Sequence, residues 1–183
     1  MTDAAAAPSF TELTVQTTDK YDIHVKKFSA KNKDAKAQLV IFHGYLEHGG
    51  RYAEFADYLA QHDITVYSLD CRGHGKSQGQ RAYCWNFAQY HLDLDAVLGA
   101  ADANLPLFVL GHSAGGVVVL DYLRTHNAET LSKWWKGVII SSPFLGPAEA
   151  VPSWKVWATY LLAYVAPALS VPANEVTSGE PID

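Results

Sequence analysis

Apolar positions first alternate with polar ones along the chain and later gather into short unbroken runs. Phe10, Leu13 and Val15 punctuate residues 10–17, and Tyr21, Ile23, Val25 and Phe28 punctuate 21–28. This pattern predicts two strands, and Thr18-Asp19-Lys20 between them predicts a hairpin. Leu39–Phe42 and Ile64–Leu69 are almost wholly apolar, as are the run from Leu107 and the stretch that opens at Gly137-Val138-Ile139-Ile140. Such runs are expected of parallel strands covered on both faces. Between them lie segments with helical spacing. One spans Arg51 to His62 with Tyr52, Phe55, Ala56 and Leu59, and another carries Phe87, Tyr90, Leu94, Val97, Leu98 and Ala101. A third follows Ser113 to about His126, and Trp134 and Trp135 fall in a connecting segment. A hairpin followed by four strands alternating with helices predicts an α/β domain with a mostly parallel sheet.

The last patterned stretch, Ser153 to Val171, carries Trp154, Trp157, Tyr160, Leu161, Tyr164, Val165 and Leu169. It predicts a very apolar helix broken near Pro167. The uncharged part, 156–171, is too short for a membrane span. An interfacial or substrate-facing helix fits the composition, and so does a helix packed on the rest of the protein. The chain is therefore divided into an N-terminal tail (1–9) expected to be disordered, a sheet domain (10–150), and a segment (151–183) that begins a lid or cap.

The chemistry concentrates in Leu107-Phe108-Val109-Leu110-Gly111-His112-Ser113-Ala114-Gly115-Gly116. An apolar run enters, a G-x-S-x-G turn carries one serine, and a second apolar run leaves. That is the pattern of a nucleophile elbow, a strand and a helix joined by a strained turn that exposes the serine hydroxyl. Glycines two positions either side allow strand and helix to approach closely. The N-terminus of the following helix favours a developing oxyanion. Two other strand ends are also polar and glycine-bearing: His43-Gly44-Tyr45-Leu46-Glu47-His48-Gly49-Gly50 and Asp70-Cys71-Arg72-Gly73-His74-Gly75-Lys76-Ser77.

Composition narrows the function classes. With 49% hydrophobic and 18% charged residues over 183 positions, the chain can bury a core. A net charge of −5 without a basic block argues against nucleic acid as a partner. The cysteines, Cys71 and Cys84, lack metal spacing and are too few for a disulfide scaffold. Reduced thiols in a cytoplasmic protein are the simplest reading. The start, Met1-Thr2-Asp3-Ala4, has an acid where a secretory signal needs bases. No metal or organic cofactor is indicated.

Three blocks together resemble the α/β-hydrolase superfamily, and within it the monoglyceride lipase and lysophospholipase group with a serine aminopeptidase S33-type domain. They are His43-Gly44-x-x-Glu47-His48-x-Gly50-Arg51-Tyr52, Asp70-x-Arg72-Gly73-His74-Gly75-Lys76-Ser77-x-Gly79, and Gly111-His112-Ser113-Ala114-Gly115-Gly116. Weaker echoes are Ser141-Ser142-Pro143-Phe144 and Gly179-x-Pro181-Ile182-Asp183. The resemblance implies that Ser113 is the nucleophile forming an acyl-enzyme. It implies that the backbone N–H groups of Tyr45 and Ala114 form the oxyanion hole. The implied substrate is a small lipid-like ester, a monoacylglycerol or lysophospholipid, with transient membrane-surface contact through Trp154–Leu169. The S33 name also covers an aminopeptidase. Tyr45 is large for an oxyanion position and is expected to wall part of an acyl pocket. His43, Arg72, His74, Glu47 and Arg51 are expected to brace loops.

One element of the chemistry departs from this resemblance. A serine nucleophile needs a base, and the base needs an orienting acid; in this fold they follow the serine along the chain. His126 is the one histidine after Ser113, and thirteen helical positions, about 20 Å, separate them. Asp121, Glu129, Glu149, Glu175, Glu180 and Asp183 follow no recognisable further strand. Neither the triad acid nor the triad histidine is therefore identified. A chain truncated before the last strands and closing helix is expected, with the strand at 138–141 as an open sheet edge. On this reading the 183 residues alone have little or no esterase activity. The competing class is a non-catalytic binding or regulatory fragment of the same fold.

Overall fold

A computed structural model of the protein describes residues 9–32, 34–127, 129, 131, 135–146 and 152–166. It divides into two compact units, 1–146 and 147–183. In the first unit the order is β1 (Thr11–Gln16), β2 (Asp22–Phe28), β3 (Ala37–Phe42), a 3-10 turn (Gly49–Tyr52), α1 (Ala53–Gln61), β4 (Ile64–Leu69), α2 (Gln89–Leu98), β5 (Leu107–His112), α3 (Ala114–Thr125) and β6 (Trp135–Ser141). In the second unit lies α4 (Ser153–Val165). Residues 1–8 of the tail, Lys33, Trp134 and positions 167–183, with the echo at 179–183 and the break near Pro167, lie outside the described residues.

The strands form a six-stranded sheet in the order β1-β2-β4-β3-β5-β6. β1 and β2 make the expected hairpin, and β2 runs antiparallel to β4. β3, β4, β5 and β6 are mutually parallel. The chain leaves β3 toward β4 on one side and then crosses back to β5 on the other. The crevice outside the carboxyl ends of β3 and β5 is therefore a topological switch point, the usual ligand position in open α/β sheets.

The unbroken apolar runs follow from this architecture. Along β3, Val40 and Phe42 join the core beneath α2 and α3, while Leu39 and Ile41 join the core beneath α1. Both faces of the strand are covered, so no alternation survives. Gln38 is buried on the same strand, where its side chain accepts from Asp102 N at 3.0 Å and donates to Asp102 O at 2.5 Å.

Three boundaries differ from the sequence reading. The region read as one helix from Arg51 opens as the 3-10 turn, because Gly49 and Gly50 disfavour an α-helical start. The second helix stops short of Phe87 and Ala101. Trp135, read as part of a connection, begins β6; it is buried and stacks on Tyr122 with ring centroids 5.4 Å apart. That partner lies thirteen residues earlier in another element, so local pattern could not reveal it. Among the described residues β6 is an edge strand, and Ile139 is exposed on it.

Candidate active site

Ser113 lies between β5 and α3 with φ 50° and ψ −117°, a left-handed conformation that L-residues adopt only under constraint. Glycine supplies the constraint on both sides. A Cβ on Gly111 would lie 2.6 Å from the Gly115 carbonyl oxygen, and one on Gly115 would lie 2.3 and 2.4 Å from the carbonyl oxygens of Phe42 and His43. The first turn of α3 thus rests directly on the end of β3. The Ser113 N–H donates to Ser141 O at 2.9 Å, and the Ser113 carbonyl accepts from Gly116 N at 3.0 Å and Phe144 N at 3.1 Å. None of the hydrogen bonds among the described residues involves the Ser113 hydroxyl.

The loop after β3 meets this elbow. A Cβ on Gly44 would lie 3.1 Å from Ser113 Cβ, so the serine abuts the Gly44–Tyr45 peptide. His43 sets the direction of that peptide. Its Nε2 accepts from Cys71 N at 3.0 Å, which leaves Nδ1 as the protonated nitrogen, donating to Gly44 O at 2.6 Å. Burial lowers the His43 pKa to about 4, so the ring stays neutral in this role. In a planar trans peptide C=O and N–H point opposite ways, so the Tyr45 N–H points away from the His43 ring. No hydrogen bond between described residues uses the Tyr45 or Ala114 N–H. Two free backbone donors beside a serine hydroxyl can stabilise an oxyanion on a carbonyl that the serine attacks.

Buried charge holds the loop after β4. Asp70 accepts from Gly49 N at 2.7 Å through Oδ1, and from Lys76 N at 2.9 Å through Oδ2. It also pairs with His24 Nδ1 at 3.0 Å, and so joins both loops to β2. Arg72 is 2% exposed. Its Nε donates to Asp93 Oδ1 at 2.9 Å, its Nη1 to Asp19 at 2.8 Å, and its guanidinium lies 4.7 Å from the Tyr21 ring centroid. Burial opposes the Arg72 charge, but the two carboxylates outweigh it and its pKa rises. Burial also pushes Asp93 up to about 6, against the pull of Arg72. His74 is buried, with Nδ1 3.0 Å from Arg72 O and 3.2 Å from Cys71 Sγ.

Most of the expected loop braces therefore brace loops: His43, Arg72 and His74 do so, and Glu47 accepts from the Tyr52 hydroxyl at 3.2 Å. Arg51 does not. It is exposed, and its backbone N–H, donating to His48 O at 3.2 Å, is what ties it to the loop. Asp93 and His24 were not singled out by sequence reasoning, and Asp70 and Asp19 were quoted only as part of a motif and a turn, because side chains tied to distant strands and helices carry no local signal of their partners. His126 caps the far end of α3, about 20 Å along the axis from Ser113, stacked on Tyr122 with ring centroids 3.7 Å apart.

A cavity of about 290 Å³ opens beside Tyr45 and Ala114. Gly44, Tyr45 and Ala114 line one end, and Phe42, Phe87, Tyr90 and Val118 supply its apolar wall. Cys71 and Cys84 also line it as free thiols, and burial raises the pKa of both. No group of three or more metal-ligating side chains occurs among the described residues.

The sheet order, the switch point and the strained serine turn together define an α/β-hydrolase fold. Residues 33–180 match the family described as serine aminopeptidase, S33, and the chain belongs to that family. A monoacylglycerol lipase from Mycolicibacterium smegmatis is 32% identical over 141 residues, which cover 75% of this chain and 49% of the relative. Human monoglyceride lipase is 35% identical over 142 residues, covering 74% and 45%. A crystal structure of a monoacylglycerol lipase from Paleococcus ferrophilus superposes with a TM-score of 0.63 at 30% identity, over 79% of this chain and 52% of the other. The chain spans about half the length of the curated relatives it matches.

Proposed function

We propose that this chain carries the nucleophile and oxyanion elements of a serine hydrolase for carboxylic esters of the monoacylglycerol or lysophospholipid type. Ser113 would attack the ester carbonyl, the Tyr45 and Ala114 amides would hold the oxyanion of the tetrahedral intermediate, and its collapse would break the ester C–O bond, the alcohol leaving with the proton the serine gave up, to form an acyl-enzyme that water then cleaves to the free acid. The observation that carries this reading is the left-handed serine, pressed by Gly115 onto the end of β3 and abutting Gly44. The names of the relatives support a lipid ester as substrate. Free cysteines accord with a cytoplasmic setting. The exposed Trp154, Trp157, Tyr160 and Tyr164 of α4 accord with brief contact at a lipid surface. None of the described helices is long and apolar enough to cross a membrane.

The test is hydrolysis by the protein purified from its source. A monoacylglycerol should be cleaved, and Ser113→Ala should lower kcat by at least about 10³-fold, the scale on which losing a nucleophile is felt. Preference for a proline-aminoacyl substrate would instead assign the aminopeptidase activity the family name covers.

A second reading, a non-catalytic binding fragment, is favoured by one observation: none of the hydrogen bonds among the described residues joins the Ser113 hydroxyl to a base. The isolated 183-residue chain is then expected to turn over little ester. Covalent labelling of Ser113 by a fluorophosphonate requires an activated serine, so strong labelling of that chain would reject the fragment reading.

A further inference from the structure

The side chain of Tyr45 does something its backbone role does not require. Its hydroxyl donates to Ala82 O at 3.1 Å, and its ring meets the edge of His74 with centroids 5.8 Å apart. The residue is 56% exposed, so burial does not hold it there. The phenol spans from the loop after β3 to the segment after β4, along the rim of the apolar cavity.

Both ends of this bridge are fixed. On one side Leu46 adopts φ 59°, and His43 holds the preceding peptide through Gly44 O. On the other, Ala82 has φ 54° and donates to Gly73 O at 3.0 Å, while Gly73 donates to Gln78 O at 2.9 Å. Arg81 reaches Gly75 O at 2.8 Å, and Arg72 anchors the same loop in the buried charge cluster. A side chain strung between two braced loops is a wall, not a free rotor.

We propose that Tyr45 is a specificity-determining strap that closes the outer side of the acyl pocket, so that the site takes acyl groups of short to medium length. This rests on the proposed hydrolase reading for the identity of the ligand. The cavity of about 290 Å³ has room for about ten water-sized groups, at about 30 Å³ each. Octanoate, with ten non-hydrogen atoms, fills that space. A longer chain meets the phenol and must break its bond to Ala82 or run out into water.

Binding of straight-chain fatty acids, from butyrate to dodecanoate, to the 183-residue chain tests this without turnover. Calorimetry or ligand-observed NMR reads the affinity. In the native sequence Kd should fall about fourfold per added methylene and stop falling near octanoate. In Tyr45→Ala the fall should continue to dodecanoate. In Tyr45→Phe, which keeps the ring and loses the Ala82 bond, the limit should move outward by one or two carbons. Melting curves of both variants confirm folding, and the exposure of Tyr45 makes both tolerable. The strap is overturned if no acid binds, if affinity in the native sequence keeps rising to dodecanoate, or if both variants keep the native limit. Failure of the hydrolase reading is separate: hydrolysis by the source protein unaffected by Ser113→Ala would sink that reading and leave the chain-length limit standing.

Discussion

The elbow at Ser113 and the loop after β4 border the same cavity but are held by different physics. The elbow is held by steric contact. Gly115 has the Phe42 and His43 carbonyl oxygens where a Cβ would go, and Ser113 keeps its left-handed backbone because neighbours on both sides leave no room to relax. The β4 loop is held by charge. Arg72, at 2% exposure, satisfies two carboxylates from the first hairpin and from α2, and Asp70 ties three segments together. Steric restraint is short-ranged and intolerant of any added atom. Electrostatic restraint reaches across the fold, but its net contribution depends on every partner being present.

The largest expected effect is on the steric side. Gly115→Ala places a methyl group against two backbone oxygens that cannot step aside, and should destabilise by on the order of 5 kcal/mol, beyond ordinary overpacking. Thermal unfolding of the variant measures it, and a change below about 1 kcal/mol would show that α3 can slide off β3. On the electrostatic side Arg72→Ala strands the Asp93 carboxylate and should cost about 3–5 kcal/mol. Adding Asp93→Ala should recover part of that loss, whereas no second substitution recovers Gly115→Ala at the same position. Denaturant titration of the single and double variants reads this contrast directly.

The smallest effect is a pH dependence that separates the two loops. His43 is depressed from 6.5 to about 4, so the fold holds it neutral. Its contribution is complete above about 6.5 and is lost as pH falls toward about 4, on the order of 3 kcal/mol in all. Asp93 has the opposite sign. Raised from 3.8 to about 6, its contribution is present below 3.8 and lost as pH rises through about 6. Between pH 7.5 and 4.5 the two contributions oppose and largely cancel, so the unfolding midpoint should change little, and His43→Asn should make it rise on acidification. A midpoint that stays as flat in that variant would remove His43 as the opposing contribution.

Much of this was legible beforehand because it is local. The apolar runs at Leu39–Phe42 and Ile64–Leu69 became parallel strands, and G-x-S-x-G became a strained turn between β5 and α3, each from contiguous residues. What was missed is non-local: Trp135 joining the sheet, Asp19 and Asp93 closing on Arg72, and Asp70 drawing Gly49 to the β4 loop.

The chain's own order of residues was enough to specify an alternating α/β architecture, the position of the serine turn, and the two polar loops that accompany it, since hydrophobic period and glycine spacing act within a few residues. Only tertiary structure decided that β3 lies between β4 and β5, that Gly44 touches Ser113, and that the Tyr45 phenol reaches Ala82. Those are contacts between residues 27 to 69 positions apart, set by strand order and by backbone atoms that carry no residue-specific signature.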